Sequence, residues 1–489
     1  MIAARASVPR SYQGAMIVGL VFGAAVLTAV LAAAAVHEQY SALGLYLVAA
    51  AVFLFCLVYW RPAVYGVFLV LFVEGYLRNR FDTPSVLVLK DMMIAAIYLR
   101  VFGGRLLAGK SIVPATPVNV PLAVFMAIAL IQALNPFVIN GEQALIGLRT
   151  WIFYLPLYYV AREMLQTEQD VRRFVWFVLI CAVPICALAV YQYRLGPSAY
   201  ASQGQAFANA TFVTFGSSDW IFRPNATFSW PSHFAEFLSV VILLSVGMVL
   251  GTTGRRRALL WGLLALLVGV ELIEGQRASY LLLTPAVALI LALRGKLWTV
   301  PVAALTLGLV MLVVGLLTGS AGLERVRELS ENRGNVFGSH AEAFWSYTVI
   351  ALENAPIGLG VGATSLGTRY VANSIPLFIE VPLAKVVADL SLVGLIAYLW
   401  LFGTLCLTSF RAQARASRAG AASTASLLAA ILVYQMLATI GGYELAIDAL
   451  PVWFLSGAAA SLAATVADPP EAGRSPVARG RAPMHGASQ

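Results

Sequence analysis

Three arginines, Arg149, Arg223 and Arg277, lie where apolar stretches of the chain begin or end, and their side chains suit the binding of phosphate groups. A charge close to the apolar region of a membrane is costly and is usually retained for function. A guanidinium group binds phosphate oxygens through two parallel hydrogen bonds, so three arginines on one face would suit a phosphate ligand. For Arg277 alone, a simpler role is a side chain that extends to lipid headgroups or pairs with Glu274.

Acid–base chemistry has candidates near the start of a late apolar stretch, which contains Glu380, Lys385 and Asp389. Glu380 and His340 both carry groups that can exchange protons. Structural alternatives remain open: Glu380 would stabilise a helix N-terminus by ~0.3–1 kcal/mol, and Asp389 could pair with Lys385 one turn away. No two histidines have metal-ligand spacing, so we predict no metal site.

A segment rich in glycine, Ala355-Pro-Ile-Gly358-Leu-Gly360-Val-Gly362, precedes these residues. Its spacing is not that of a nucleotide-binding loop. It predicts a helix that ends and turns tightly through Gly and Pro, although such a turn could also bring backbone amides to a ligand. The apolar residues of segment 340–353 recur at helical spacing and predict an amphipathic helix on the membrane surface.

The elements that must hold these residues follow from the composition: 60% of the 489 residues are apolar and only 11% are charged. Ordinary soluble domains have about 25% charged residues, so a water-soluble enzyme is excluded. The net charge of +9 does not indicate a nucleic-acid partner, because the basic residues fall in short clusters between apolar stretches. The four cysteines lie within apolar stretches and are predicted to be small buried hydrophobes.

We predict an all-α polytopic integral membrane protein with about 12–14 transmembrane helices, since backbone polar groups in lipid must be satisfied internally. The helical domain would cover residues 1–467 and contain two long outer-face loops, 195–232 and 319–385. A tail over residues 468–489 is rich in Pro, Gly and Arg and is predicted to be disordered. The predicted spans are 15–36, 42–59, 62–75, 86–102, 119–134, 147–165, 174–194, 233–253, 258–274, 278–294, 298–318, 386–409, 424–441 and 450–466.

The orientation follows from the basic residues. Of the 32 Lys and Arg residues, 20 fall in the predominantly short segments on one side, which is therefore predicted to be cytoplasmic. Both termini are then cytoplasmic, and both long loops lie on the outer face together with the three arginines.

Four stretches of the chain, taken in order, resemble the O-antigen ligase and polymerase superfamily, whose members transfer lipid-linked glycans on the outer face of the bacterial inner membrane. The likeness covers roughly residues 120–465. The stretches are Leu148-Arg149-Thr-Trp-Ile-Phe-Tyr-Leu155, Arg223-Pro-Asn-Ala-Thr-Phe-Ser-Trp-Pro-Ser-His233-Phe-Ala, Glu274-Gly-Gln-Arg277-Ala-Ser279, and Asn354-Ala-Pro-Ile-Gly-Leu-Gly-Val-Gly362 followed by Asp389-Leu-Ser-Leu-Val-Gly394-Leu.

The resemblance implies a metal-independent glycosyltransferase without a cofactor, which takes a polyprenyl-pyrophosphate-linked glycan as donor. Arg149, Arg223 and Arg277 would bind the pyrophosphate, and Glu380, with His340 in reserve, would be the catalytic base. The expected partners are a glycan or lipid-linked acceptor, the lipid bilayer and polysaccharide assembly and export proteins.

One departure from the family pattern bears on the acceptor. Ligases of the family carry a histidine eleven residues before a glycine whose place Ser391 takes, and here that position is Glu380. We therefore expect a polymerase in O-antigen or exopolysaccharide assembly, with a ligase that transfers glycan to lipid A core as the alternative. A secondary transporter or flippase is a further alternative, although the long loops and charge clusters on one side argue against it.

Overall fold

The computed structural model describes residues 40–81, 85–200, 212–214, 220–296, 301, 308, 333–365, 368, 377, 379, 381–418, 423–439 and 445–467. Within these ranges the fold is helical, with one antiparallel pair of short strands, β1 (Phe212–Thr214) and β2 (Trp220–Phe222). The helices are α1 Tyr40–Val58, α2 Trp60–Phe81, α3 Ser85–Leu107, α4 Asn119–Gln132, α5 Gly141–Leu148, α6 Leu157–Met164, α7 Glu168–Leu195, α8 Pro231–Leu250, α9 Gly254–Glu274, α10 Arg277–Leu293, α11 Arg333–Asn354, α12 Pro382–Arg418, α13 Ser423–Ala438 and α14 Leu445–Ala467.

Five helical segments of the described chain are long and apolar enough to cross a membrane. They are Trp60–Leu77, Gly141–Met164, Glu168–Leu195, Pro231–Leu250 and Pro382–Ser417. Large apolar side chains cover their outer surfaces: Ile180 is 65% exposed and Ile396 is 67% exposed. Apolar side chains on the outside of apolar helices are stable in lipid and not in water, so the protein is embedded in a membrane.

Twelve of the predicted spans, from 42–59 to 278–294 and from 386–409 to 450–466, coincide with described helices. Several boundaries were wrong by five residues or more. Helix α2 continues to Phe81, α3 to Leu107 and α12, which has a kink at Ser391, to Arg418. Helices α5, α7 and α14 begin earlier than predicted, at Gly141, Glu168 and Leu445. Hydropathy marks the apolar part of a helix, whereas the backbone hydrogen bonds can continue into polar sequence beyond it. Span 15–36, nearly all of span 298–318 and the tail 468–489 lie outside the described residues.

Many of the polar contacts between helices fall near the two ends of the bundle. We call one the site end; it contains the C-terminal ends of α2, α4, α7 and α9 and the N-terminal ends of α3, α5, α8, α10 and α12. The other is the opposite end. There Arg105 pairs with Glu163, and Arg294 Nε donates to Ser426 Oγ at 3.0 Å.

An aromatic cluster holds three helices together between the two ends. The ring of Phe68 in α2 lies 4.9 Å from that of Phe174 in α7 and 5.1 Å from that of Phe454 in α14, measured between centroids. Helix α14 also approaches α6 closely, because a Cβ at Gly457 would lie 2.1 Å from the Tyr158 carbonyl oxygen. Cys56, Cys186 and Cys406 are buried free thiols, as predicted, whereas Cys181 is only half-buried.

Candidate functional site

Arg149 begins a π-helical turn, Arg149–Phe153, between helices α5 and α6. The interruption has a local cause, because Pro156 has no backbone N–H and cannot continue the α-helical hydrogen bonds. A π-helical turn shifts the side chains that follow it around the helix, and such turns are frequent at functional sites. Here the turn directs Arg149 and Trp151 to two different neighbouring helices, as their partners show.

Arg149 forms an ion pair with Asp91 of α3 through two nitrogens. Its Nε donates to Asp91 Oδ2, and its Nη2 lies 3.3 Å from Asp91 Oδ1. The hydroxyl of Tyr154 donates to the same Oδ1 at 2.9 Å. The side chains of Arg149 and Asp91 are 29% and 21% exposed, so this pair is accessible at the surface of the bundle.

A second ion pair lies beside the first. Lys90 Nζ is 2.6 Å from Glu74 Oε2, and both side chains are only 3% exposed. The centroid of the Tyr154 ring lies 5.6 Å from Lys90 Nζ and 5.7 Å from the guanidinium carbon of Arg149. Helices α2 and α3 and the π-helical turn therefore share one network in which each charge has an opposite neighbour.

Arg223 is the centre of another buried cluster. Its Nε donates to the backbone carbonyl of Glu274 at 3.1 Å, and its Nη2 donates to the side chains of Glu274 and Gln276. Glu274 Oε2 also accepts the backbone N–H of Gln276 at 2.8 Å. The Arg223 side chain is 11% exposed and that of Glu274 is fully buried. These bonds fix the turn that leads directly into α10 at Arg277.

The segment between Arg223 and α8 connects this cluster to the Glu74–Lys90 pair. The backbone N–H of Tyr76 donates to the Thr227 carbonyl at 2.7 Å. The neighbouring Gly75 permits the approach, because a Cβ there would lie 2.3 Å from the backbone nitrogen of Ser229. Arg149 and Arg223 thus belong to clusters that helix α2 joins at the site end.

Asp389, in the first part of α12, binds three N–H groups from distant parts of the chain. Trp151 Nε1 donates to Oδ2 at 2.9 Å, Gly362 N to Oδ2 at 3.2 Å and Thr364 N to Oδ1 at 3.0 Å. Asp389 is 1% exposed. The sequence suggested Lys385 as its partner, but the carboxylate receives backbone amides of the glycine segment, so these amides bind a side chain of the protein itself.

The glycine segment follows the end of α11 at Asn354, as the sequence predicted. The side chains of Gln132 and Asn135 donate to the carbonyls of Ile357 (2.6 Å) and Gly358 (2.9 Å). Gly362 has φ +88°, and a Cβ on it would lie 2.5 Å from the Gln143 carbonyl oxygen. Only glycine tolerates both the positive φ and the close contact. These contacts hold the glycine segment between α4, α5 and α12.

The predicted site residues are described to different extents. Arg277 is the first residue of α10, and His340 lies within α11. The structure describes the backbone of these two residues but not their side chains, and Glu380 lies wholly outside the described residues. In the structure Glu274 binds Arg223. The pair of Glu274 with Arg277 that the sequence offered stays a prediction, because the Arg277 side chain lies outside the described residues. Arg149 and Arg223 lie at the same end of the bundle as predicted, and each already has a carboxylate partner.

Sequence reasoning overlooked Glu74, Lys90 and Asp91. Each is a charged residue next to or inside an apolar stretch, which is the same signal that singled out the arginines. Glu74 closes the predicted third span, and Lys90 and Asp91 lie within the fourth. That signal marks these residues as candidates, but it does not say that Asp91 pairs with Arg149 and Glu74 with Lys90.

A cavity of about 50 Å³ lies within the bundle between α2, α7, α8 and α13, lined mainly by aromatic and aliphatic side chains with His233, Glu236 and Gln435. This volume is enough for a few water molecules. Within the described ranges, no group of three or more His, Cys, Asp and Glu residues is arranged to hold a metal ion.

No protein-family model matches the chain, and no curated protein matches it either.

Proposed function

We propose that the protein is a membrane glycosyltransferase that transfers a glycan from a polyprenyl-pyrophosphate carrier onto a glycan acceptor, as a polymerase in O-antigen or exopolysaccharide assembly. The observation that carries this proposal is that the four family-like stretches meet in two pairs at the site end, where helix α2 joins the two pairs. Trp151 of the first contacts Asp389 of the fourth across 238 residues, and Arg223 of the second contacts Glu274 of the third across 51. Stretches that resemble one family's motifs and also meet in space favour a common site.

The arginines would differ in their roles. Arg149 is partly exposed and its pair with Asp91 uses only Nε and Nη2, so its Nη1 side is the better placed to bind an incoming pyrophosphate. Arg223 is almost buried and instead holds the Glu274–Gln276 turn. That turn positions the start of α10, from which Arg277 would reach the pyrophosphate.

The proposed reaction forms one glycosidic bond and breaks one. A hydroxyl oxygen of the acceptor attacks the anomeric carbon of the donor glycan, and Glu380 takes the hydroxyl proton. The bond between that carbon and the pyrophosphate oxygen breaks, and polyprenyl pyrophosphate leaves with its new negative charge next to Arg149 and Arg277. His340 is the alternative base. Cationic side chains would do the work that a divalent metal does elsewhere, so the proposal includes neither a metal nor a cofactor.

The proposed setting is the bacterial inner membrane, with the site end on the outer face and both termini in the cytoplasm. Arg162, Arg172 and the cluster Arg255–Arg257 lie at the opposite end, in keeping with a cytoplasmic excess of basic residues. An impermeant thiol reagent tests this in intact cells. The Ser330→Cys variant should react with the reagent and the Arg256→Cys variant should not. The reverse pattern would contradict the orientation.

The activity itself is tested in cells of the source bacterium that lack the protein. Loss of long-chain surface polysaccharide, its return with the wild-type chain and its absence with Arg149→Ala at equal protein level would support a polymerase. A lipid A core that carries no glycan, while lipid-linked polymer of normal length accumulates, would indicate the ligase. Lipid-linked repeat units retained on the cytoplasmic face would indicate a flippase.

A further inference from the structure

Asp91 and Tyr154 hold the guanidinium group of Arg149 by three separate constraints. Asp91 takes Nε and Nη2, which form one edge of the group. The hydroxyl of Tyr154 donates to Asp91 Oδ1 at 2.9 Å and so fixes the carboxylate, while its ring lies 5.7 Å from the guanidinium carbon. An ion pair that only neutralised charge would need neither the tyrosine hydroxyl nor its ring.

The geometry points to Asp91 and Tyr154 as positioning residues that orient Arg149 for a pyrophosphate group, an inference that rests on the proposed function. A guanidinium has two edges that can each form a bidentate fork. Asp91 occupies the Nε–Nη2 edge, which leaves Nη1 and the second hydrogen of Nη2 for two phosphate oxygens. The long side chain of Arg149 is then already ordered when the donor arrives. Because binding does not have to order it, the affinity is higher by up to about ten-fold.

The surroundings of the pair support this role. Lys90, the residue before Asp91, is bound to Glu74 at 2.6 Å, so the acid and its neighbour are fixed from the α2 side as well. Arg149 itself starts a π-helical turn, whose unusual backbone directs the side chain towards α3. The chain also offers a comparison at the opposite end: Arg105 pairs with Glu163 through Nη1, and its Nε donates to the Ser111 carbonyl at 2.9 Å. There the carboxylate receives a single nitrogen of the arginine.

Binding measurements on the full chain in lipid nanodiscs test the inference, with geranylgeranyl pyrophosphate and inorganic pyrophosphate as probes. We expect Asp91→Asn to weaken binding about ten-fold and Tyr154→Phe about three-fold. Glu163→Gln, the matched control, should bind both probes like the wild type even if its thermal midpoint falls. In the Arg149→Ala background, Asp91→Asn should have no additional effect, because its partner is gone.

The outcomes separate the inference from the proposed function. Equal or tighter probe binding by both Asp91→Asn and Tyr154→Phe, while Arg149→Ala loses binding, would overturn the positioning role and leave the proposed function intact. An equal loss in Asp91→Asn and Glu163→Gln would show a general effect on folding and would also overturn it. No binding by the wild type, or equal binding by Arg149→Ala, would overturn both. If Asp91→Asn does not fold, Tyr154→Phe decides, because it removes one hydroxyl and keeps the ring.

Discussion

The indole nitrogen of Trp151 lies 2.9 Å from a carboxylate oxygen of Asp389, although 238 residues separate them along the chain. The bond joins the π-helical turn that presents Arg149 to the start of α12. Because Gly362 and Thr364 donate to the same carboxylate, the glycine segment is held there as well. Asp389 is therefore the point at which the first and last of the family-like stretches meet.

Replacement of Asp389 by asparagine should destabilise the protein by about 1–3 kcal/mol, because an amide has one acceptor oxygen and three N–H donors would face it. Its NH2 group must point at one of them and leave that donor unsatisfied in a buried site. The thermal midpoint in detergent measures the effect. Trp151→Phe removes one donor and keeps an aromatic ring, so it should cost less, about 1–2 kcal/mol. A loss in Trp151→Phe equal to or larger than that in Asp389→Asn would contradict this account of the carboxylate.

Ser391 should be replaceable by glycine with a gain in stability. It has φ 69° and ψ −179° within α12, a backbone conformation that is essentially restricted to glycine. Relief of this strain, less the flexibility that glycine adds to the unfolded chain, should contribute about 1 kcal/mol. Ser391→Ala keeps the Cβ atom and should give no such gain. The thermal midpoints of the two variants decide, and a higher midpoint for alanine than for glycine would show that the strain is not what matters.

Arg223→Lys should reduce glycan polymerisation at least ten-fold at equal protein level. A lysine has one nitrogen and cannot replace the Nε and Nη2 donors that bind Glu274 and Gln276, so the turn before Arg277 loses its support. Polysaccharide chain length on gels is the readout, and Arg105→Lys at the opposite end is the matched control. Equal amounts of polymer from Arg223→Lys and Arg105→Lys would mean that the Glu274–Gln276 turn does not depend on the two guanidinium donors of Arg223.

Glu380→Gln should lower turnover by ~10²-fold or more while donor binding persists, because glutamine keeps the shape and hydrogen bonding but cannot take a proton. A role limited to a helix N-terminus predicts a stability loss below about 1 kcal/mol and near-normal polymer. Initial rates of polyprenyl pyrophosphate release, at matched protein level, distinguish these. If Glu380→Gln turns over normally and His340→Gln does not, the base is His340.

The helices were predictable from the sequence because the lipid imposes one rule on every span. Apolar stretches of about 20 residues form helices regardless of their neighbours, and basic residues sort the loops. The turn through the glycine segment was predictable for a similar reason, since Gly358, Gly360 and Gly362 all have positive φ. Such features depend on local sequence, and local sequence was sufficient.

The partners of the charged residues were not predictable in the same way. Glu274 binds Arg223, which is 51 residues away in the sequence. Asp389 is one turn from Lys385 but receives N–H groups of Trp151 and the glycine segment. In a helical bundle such pairings depend on which helix ends become neighbours, and neither hydropathy nor spacing along one helix contains that information.

The central claim, glycan transfer at a site that includes Arg277, is tested most directly by one reconstitution. The full chain in liposomes receives a polyprenyl-pyrophosphate-linked oligosaccharide in the presence of EDTA, and the length of the lipid-linked glycan is read on gels. We predict a ladder of longer products for the wild type, none for Arg277→Ala and a weak ladder for Arg277→Lys, since lysine keeps the charge without the fork. An unchanged oligosaccharide with the wild-type protein, or a normal ladder from Arg277→Ala, would contradict the claim.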